Sequence, residues 1–175
     1  MGLFKTWWMI LAVSGVLIAS SLAGTGYSSA EVWDFDSINP VHARQTPNQI
    51  AAADVYASVT RANDLWNAHD LEGYLDCFWR SPALVIVEEG NVINGWQDFH
   101  DRSVRGYNRP ESMGQNSVTR VQVRMMTPDL AFVLTHWSLG FAGSSHLVVG
   151  VDSAYMQRVD GVWKIINGHT SYLDM

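Results

Sequence analysis

The sequence contains little of what several protein classes require. It has one cysteine, Cys77, in 175 residues, so no intrachain disulfide can form and stability must come from packing. The apolar neighbours Leu75, Phe78 and Trp79 indicate a buried thiol rather than a nucleophile. No glycine-rich phosphate loop follows a strand pattern, and no serine stands in a nucleophile elbow. These absences remove the most easily recognised routes to nucleotide binding and covalent catalysis.

Positive charge is scarce as well. Eleven Lys and Arg stand against 17 Asp and Glu, a formal net charge of −6, and only two of the eleven are Lys. No segment concentrates them, so nothing would neutralise a run of phosphates and we expect no nucleic-acid partner. Apolar residues, in contrast, make up 47% of the chain and aromatic residues 11%. This length and composition indicate one globular domain with a rigid core.

The first thirty residues differ in character from the rest. They carry one charge, Lys5, followed by an apolar run over residues 7–19 and a stretch of small residues that ends at Ala30. This order is typical of an export signal, and the run is shorter than the roughly 20 residues that a helix needs to cross a bilayer. We expect cleavage after Ala30, with Ala23 as a second site, and retention as an uncleaved anchor as the alternative. Residues 1–30 therefore predict a secreted or periplasmic protein that has no membrane attachment after cleavage.

An arm and a long helix are predicted next. Residues 31–45 have no clean period and indicate an extended arm against the domain, which occupies residues 46–175. The motif Thr46-Pro47-Asn48-Gln49 predicts a helix start, because threonine caps the helix, proline suits its first position and glutamine can complete a capping box. Apolar residues then recur at three- and four-residue spacing as far as Trp66, which predicts one buried stripe.

Two shorter helices and a hairpin are predicted after the long helix. Asp70 is the expected cap of a second helix that runs through Trp79. The β-branched segments 83–88 and 92–94 flank a turn and predict a hairpin, and a third helix is expected after Gly95.

The last third of the chain alternates between apolar and polar residues. Alternation is typical of strands, and four are predicted, over residues 117–126, 130–141, 145–157 and 162–170. Helices followed by a meander indicate an α+β domain. We expect a cone-shaped, curved antiparallel sheet with three helices packed on its concave face.

This order of elements resembles the nuclear transport factor 2-like superfamily, and within it the SnoaL-like and ketosteroid-isomerase-like group. The resemblance covers residues 48–171 and rests on three stretches: Trp66-Asn67-Ala68-His69-Asp70, Val92-Ile93-Asn94-Gly95, and Asp160-Gly161-Val162-Trp163-Lys164-Ile165 with His169 and Ser171 after it. It implies a cone that encloses a pocket. Members use that pocket for isomerisation, polyketide cyclisation, dehydration or epoxide hydrolysis, or only for binding or assembly, so the pocket residues must decide.

At most one of the catalytic residues that the ketosteroid-isomerase mechanism requires has a counterpart in this chain. The mechanism needs a carboxylate base, and a tyrosine and a protonated aspartate that stabilise an oxyanion. By the resemblance, counting from Asp70 puts Ala62 at the tyrosine position, Ile86 at the base and Ser153 near the second acid. A shift of two residues brings in Glu88, on the same strand face as Ile86. Glu88 is therefore a candidate catalytic residue, with a solvated charge before the turn as the alternative.

A histidine supplies the second candidate acid–base group. His169 shares strand parity with Trp163, Ile165 and Asn167, and because the first two are apolar we expect all four side chains inside the domain. An imidazole exchanges protons near neutral pH, which favours His169 as a catalytic residue. The alternative is a core histidine bonded to a neighbouring strand or to Tyr172.

Five further residues are predicted to bind the ligand: Tyr56, Trp66, Tyr107, His136 and Asn167. The tyrosines and the tryptophan would supply apolar area with a polar tip, and Asn167 would orient a carbonyl or hydroxyl group. The strand that carries His136 is apolar on both faces, so parity does not decide between the pocket and a subunit interface. A strand that is apolar on both faces also predicts a homodimer in which the sheets of the two subunits pack against each other.

Neither a metal nor a cofactor is expected. The histidines occur singly at wide spacing, and although His136, His169 and Glu88 could converge across a sheet, no local pattern supports a metal site. We therefore expect an exported domain that holds a small, mostly apolar ligand for cofactor-free isomerase, cyclase or dehydratase-like chemistry. The alternative is a ligand-binding or assembly domain without catalysis.

Overall fold

The computed structural model describes residues 32–34 and 46–174. The described chain forms three α-helices and seven strands, in the order β1 (Val32–Asp34), α1 (Pro47–Asn67), α2 (Leu71–Leu75), β2 (Val85–Glu88), β3 (Asn91–Asn94), α3 (Trp96–Gly106), β4 (Gln115–Thr127), β5 (Leu130–Gly140), β6 (Leu147–Val159) and β7 (Val162–Asp174). The export signal expected over residues 1–30 lies outside these residues, as does the arm apart from β1. Within the described part, no helix combines the length and hydropathy that a bilayer crossing requires.

All seven strands belong to one open sheet in the order β1-β4-β5-β6-β7-β2-β3. Strands β4 to β7 form an antiparallel meander, and β1 extends it antiparallel at one edge. At the other edge the β2–β3 hairpin joins through a parallel pairing of β2 with β7. The predicted α+β class with three helices is confirmed, but the sheet is mixed because the long connection through α3 and the meander brings β7 back alongside β2.

Helix α1 starts where its capping motif predicts. The Gln49 backbone N–H donates to Thr46 Oγ1 at 3.2 Å, and the Thr46 N–H donates to Gln49 Oε1 at 2.7 Å. This capping box satisfies donors at the start of the helix that have no partner within it. The buried face of α1, which includes Val55 and Trp66, packs on the inner side of β4.

Helix α2 is shorter than predicted, because a backbone pairing with β7 ends it. Asp70 caps it as expected, accepting from the Gly73 N–H at 2.9 Å. After Leu75 the chain turns, and the Trp79 N–H donates to the Ile165 carbonyl at 2.9 Å. This contact ties the chain after α2 to β7.

Two apolar clusters hold the helices to the sheet. One lies between α1 and the meander and includes Val55, Val123 and Trp163. The other lies between α2, α3 and the β2–β3 hairpin and includes Leu75 and Phe99. Ile165 packs against both clusters.

We expect Thr46→Ala to lower the free energy of unfolding by about 1 kcal/mol, because it removes the side-chain half of the capping box. Urea denaturation monitored by circular dichroism measures the change. Thr60→Ala is the matched control, since the Thr60 hydroxyl donates to the Tyr56 carbonyl within the same helix, at 3.1 Å; its effect should stay within about 0.5 kcal/mol. Equal losses in the two variants would contradict the role assigned to the cap.

Candidate functional site

A cavity of about 920 Å³ lies between the inner face of the sheet and the helices. This volume is in the range of pockets that hold drug-sized ligands. Rings supply much of its wall: Trp66, Tyr74, Phe99, Tyr107, Trp137, Phe141, Trp163 and Tyr172. A cavity with such walls suits a ligand that is mostly apolar.

One row of side chains across four neighbouring strands brings polar groups to the cavity. The strand register places Thr135 of β5, Asp152 of β6, Thr170 of β7 and Glu88 of β2 side by side, and all four line the cavity. Since neighbouring strands are spaced by about 4.8 Å, the strands that carry Asp152 and Glu88 lie about 10 Å apart. The cavity therefore has two carboxyl groups on one wall.

The adjacent row consists of Trp137, Gly150 and Tyr172. A Cβ atom at position 150 would overlap Trp137 Cζ2 and lie 2.9 Å from the Ser171 carbonyl oxygen. Only glycine leaves room for the indole ring to lie against β6 here. The ring thereby stands next to Asp152, which is two residues along β6 on the same face.

Asp152 is the most deeply placed carboxyl group of the cavity. Burial raises its pKa, while the Trp137 N–H, the Thr170 hydroxyl and nearby His169 act in the opposite direction. The contact with Trp137 falls short of a well-formed hydrogen bond, since neither Asp152 Oδ1 nor Trp137 Nε1 has a partner among the described residues. Asp152 is thus a desolvated carboxyl group with an oxygen still able to accept a proton or a hydrogen bond.

Unsatisfied polar atoms are concentrated around the cavity. Within residues 32–34 and 46–174, five buried side-chain nitrogen or oxygen atoms have no hydrogen-bond partner, and four of them belong to residues of the cavity wall. These four are Asn116 Oδ1, Trp137 Nε1, Asp152 Oδ1 and Trp163 Nε1. Because buried polar groups in native proteins are almost always hydrogen-bonded, the cavity is where a ligand or water must complete the structure.

Glu88 lies at the rim of the cavity, where its side chain reaches solvent. Partial burial raises its pKa, and the charges of Asp152 and Glu89 raise it further, whereas Arg102 lowers it. Glu88 is therefore a second carboxyl group that binds a proton more readily than a fully solvated one. The neighbouring Glu89 accepts a hydrogen bond from the Tyr172 hydroxyl, which raises the pKa of Tyr172 to about 12.

Two tyrosines complete the polar set. Burial, followed by the charge of Asp152, raises the pKa of Tyr74 well above its ordinary value. Burial and the charge of Glu88 raise the pKa of Tyr107. Both phenols therefore stay protonated near neutral pH and can donate hydrogen bonds to a ligand.

Three of the residues predicted from the sequence line the cavity: Glu88, Trp66 and Tyr107. The Trp66 ring packs edge-on against Tyr74 and Tyr107, with centroid distances of 5.0 and 4.9 Å. Its Nε1 donates to the Met113 carbonyl at 3.0 Å, so Trp66 contributes apolar area and no free donor.

The structure does not bring His169 or Asn167 to the cavity, because a β-bulge in β7 reverses the strand parity. Tyr155 of β6 pairs with Asn167, but the next residue, Met156, pairs with Ile165, so Ile166 is an extra residue in β7. The expectation that these side chains share the face of Trp163 and Ile165 is therefore wrong. His169 is exposed, and Asn167 Nδ2 donates to the Val85 carbonyl at 3.1 Å.

Two more predicted residues also lie away from the cavity. His136 alternates with Thr135 and Trp137, both of which line the cavity, so His136 lies on the outer face of the sheet. This settles the parity that the sequence left open. Tyr56 is exposed on α1 and is next to the buried stripe residue Val55.

The sequence did not identify six residues of the cavity wall as site residues: Tyr74, Thr135, Trp137, Asp152, Thr170 and Tyr172. The count along the chain reached Ser153, one residue from Asp152, and strand alternation puts these two on opposite faces. One signal was available, because Asp152 is the only charged residue within the apolar strand segment 147–156, and a charge in such a place usually has a function.

No group of three or more His, Cys, Asp or Glu side chains in the described ranges is arranged to hold a metal ion. The combination of His136, His169 and Glu88 is divided between the outer face and the cavity rim.

Comparison with known proteins gives similarity in structure only. No protein-family model matches the sequence, and no curated protein matches it. Among solved structures, an NTF-2-like protein of unknown function from Shewanella oneidensis MR-1 matches with a TM-score of 0.63 and 24% identity, covering 68% of this chain and 97% of that one.

Two other solved structures extend this similarity. A cystatin-like fold protein from Burkholderia xenovorans matches with a TM-score of 0.58 and 22% identity, covering 72% of this chain and 94% of that one. A proposed scytalone dehydratase from Novosphingobium aromaticivorans matches with a TM-score of 0.63 and 10% identity, covering 74% of this chain and 89% of that one. At these identities the matches establish architecture, and the resemblance found in the sequence is confirmed at that level: the chain has the nuclear transport factor 2-like fold.

Proposed function

We propose that the cavity binds a small, mostly apolar ligand and that Asp152 transfers a proton to or from it without a cofactor. The observation that carries the proposal is a half-buried aspartate with a raised pKa, whose buried Oδ1 has no hydrogen-bond partner among the described residues, in a cavity of aromatic side chains. Groups with perturbed pKa values in such cavities are typical of acid–base sites. Asp152 takes the role that the sequence suggested for His169.

The other polar groups have separate tasks in this proposal. The hydroxyls of Tyr74 and Tyr107, which stay protonated, stabilise negative charge that develops on a ligand oxygen. Glu88 at the rim acts as the second acid–base group and exchanges protons with solvent. Removal of a proton from one atom and its return to another is the step that isomerisation, cyclisation and dehydration share. The structural neighbour described as a proposed scytalone dehydratase fits the last of these reactions.

Exchange of carbon-bound hydrogen with solvent tests this chemistry without knowledge of the natural substrate. We expect the protein to accelerate deuterium uptake by 2-tetralone in D₂O, and Asp152→Asn to reduce the enzymatic rate by about 10²–10⁴-fold. Mass spectrometry of the ketone measures the uptake. Ser153→Ala is the matched control, since it alters the same strand on the opposite face and should leave the rate unchanged. If Asp152→Asn exchanges at the wild-type rate, Asp152 is not the base. If the wild type accelerates no exchange, the binding-domain alternative is favoured.

The electrostatic coupling of the two carboxyl groups gives a second test. Because the charge of Asp152 raises the pKa of Glu88, Asp152→Asn should move the pKa of Glu88 downward, toward its ordinary value. Carbon-13 NMR titration of labelled carboxyl groups measures this shift. Asp160→Asn, an exposed substitution in the β6–β7 turn, should leave the pKa of Glu88 where it is. An unchanged or higher pKa in Asp152→Asn would show that the two groups do not share one cavity.

We also propose that the domain is exported and forms a homodimer. The signal-like order of residues 1–30 supports export. The outer face of β5 and β6 supports association, because Phe132, Leu134, Val149 and Val151 leave apolar area there half-buried. Native mass spectrometry of protein recovered from outside the cytoplasm should find a dimer of chains that begin at Glu31. Chains that retain residues 1–30 would refute cleavage, and a monomer at micromolar concentration would refute the dimer.

A further inference from the structure

We propose that Trp137 and Asp152 together hold one neutral hydroxyl group of the ligand, so that Trp137 determines which ligands the cavity accepts. This inference rests on the proposed function in one respect, namely that a ligand occupies this cavity.

The geometry places a donor and an acceptor next to each other on the cavity wall. Trp137 pairs across the sheet with Gly150, and Asp152 lies two residues further along β6 on the same face. Gly150 has no Cβ, which leaves room for the indole ring to contact the strand. Trp137 Nε1 and Asp152 Oδ1 are both buried, and neither has a hydrogen-bond partner among the described residues.

A hydroxyl group is the smallest neutral organic group that satisfies both atoms at once. Its oxygen accepts from the indole N–H while its hydrogen is donated to the carboxylate oxygen. An ether oxygen can only accept, so it would leave Asp152 Oδ1 unsatisfied in a buried position, which is costly. The arrangement therefore favours an alcohol or a phenol over the corresponding ether.

The charges of the cavity disfavour an acidic ligand. Asp152, Glu88 and Glu89 all line it, and a ligand carboxylate next to Asp152 would add a like charge in a desolvated place. Two of the cationic side chains on the wall already have acidic partners. Arg102 pairs with Asp98 at 3.1 Å, and Lys164 contacts Asp76.

Trp163 provides a matched comparison within the same cavity. Its Nε1 is also buried and has no hydrogen-bond partner in the part of the chain that the structure describes. Trp163 lies before the bulge of β7, however, and the Arg158 guanidinium group stacks over it, 4.9 Å from the ring centroid. It pairs with Arg158 in the sheet and not with a residue beside Asp152. A general need for donors in the cavity would involve both tryptophans equally, whereas hydroxyl recognition involves Trp137 alone.

Three bicyclic probes of similar size test the inference by isothermal titration calorimetry: 2-naphthol, 2-methoxynaphthalene and 2-naphthoate. We expect the wild type to bind 2-naphthol about 10- to 100-fold more tightly than the ether, the range for one or two buried hydrogen bonds, and 2-naphthoate most weakly. Trp137→Phe should remove the preference by weakening 2-naphthol while leaving the ether within about twofold of wild type, since it keeps the apolar ring. Trp163→Phe should keep the preference.

The possible outcomes separate this inference from the proposed function. Equal affinity for 2-naphthol and its ether, or loss of the preference in both tryptophan variants, overturns hydroxyl recognition and leaves water as the partner of the two atoms. Failure of all three probes to bind also overturns it. If Trp137→Phe does not fold, as judged by circular dichroism, Asp152→Leu decides, because leucine removes the acceptor oxygen and should lower the preference through the other contact. A strong preference in a protein that catalyses no exchange supports the inference while refuting proton transfer.

Discussion

The site depends on a carboxyl group held on the inner face of an apolar sheet, where burial outweighs the groups that favour its charge. Burying an ionised carboxylate is costly, so Asp152 binds its proton more tightly than it would in water. Its neighbours limit that effect without removing it. The Thr170 hydroxyl and the Trp137 N–H approach the carboxyl group, but Oδ1 has no partner within the described chain. Since buried polar atoms in native proteins are almost always hydrogen-bonded, this oxygen favours Asp152 as part of a ligand site.

One extra residue in β7, Ile166, determines which side chains of that strand surround the carboxyl group of Asp152. Before Ile166, the inward positions of β7 are Trp163 and Ile165, which fill the wall between the two apolar clusters. After it, Thr170 and Tyr172 face inward instead, beside Asp152 and Gly150. Without the bulge, the alternation of side chains along β7 would continue unshifted. Thr170 and Tyr172 would then face outward, and His169 would face inward. The bulge therefore divides β7 into a segment that packs and a segment that serves the site.

Local signals in the sequence predicted most of the fold, since they act over a few residues. The Thr46 capping box, the Asp70 cap and the turn glycines determine where elements begin and end, and each is visible in the residues themselves. The parallel pairing of β2 with β7 joins segments far apart in the chain, so no local pattern reveals it. The site is harder still to predict, because its composition depends on strand parity. Parity predicted the wrong face for His169 through an unseen bulge, and a count that ended at Ser153 missed Asp152 by one residue.

The carboxyl groups of Asp152 and Glu88 lie at different depths in the cavity. Asp152 lies inside, Glu88 lies at the rim where it reaches solvent, and Thr170 stands between them in the strand register. A proton taken up by a buried group must eventually return to water, and the strand register places the Thr170 hydroxyl between Asp152 and the exposed Glu88. Because the charge of Asp152 raises the pKa of Glu88, ionisation of the inner group makes the outer one better able to hold a proton. The same register that builds the site thus links the protonation of its interior to that of its rim.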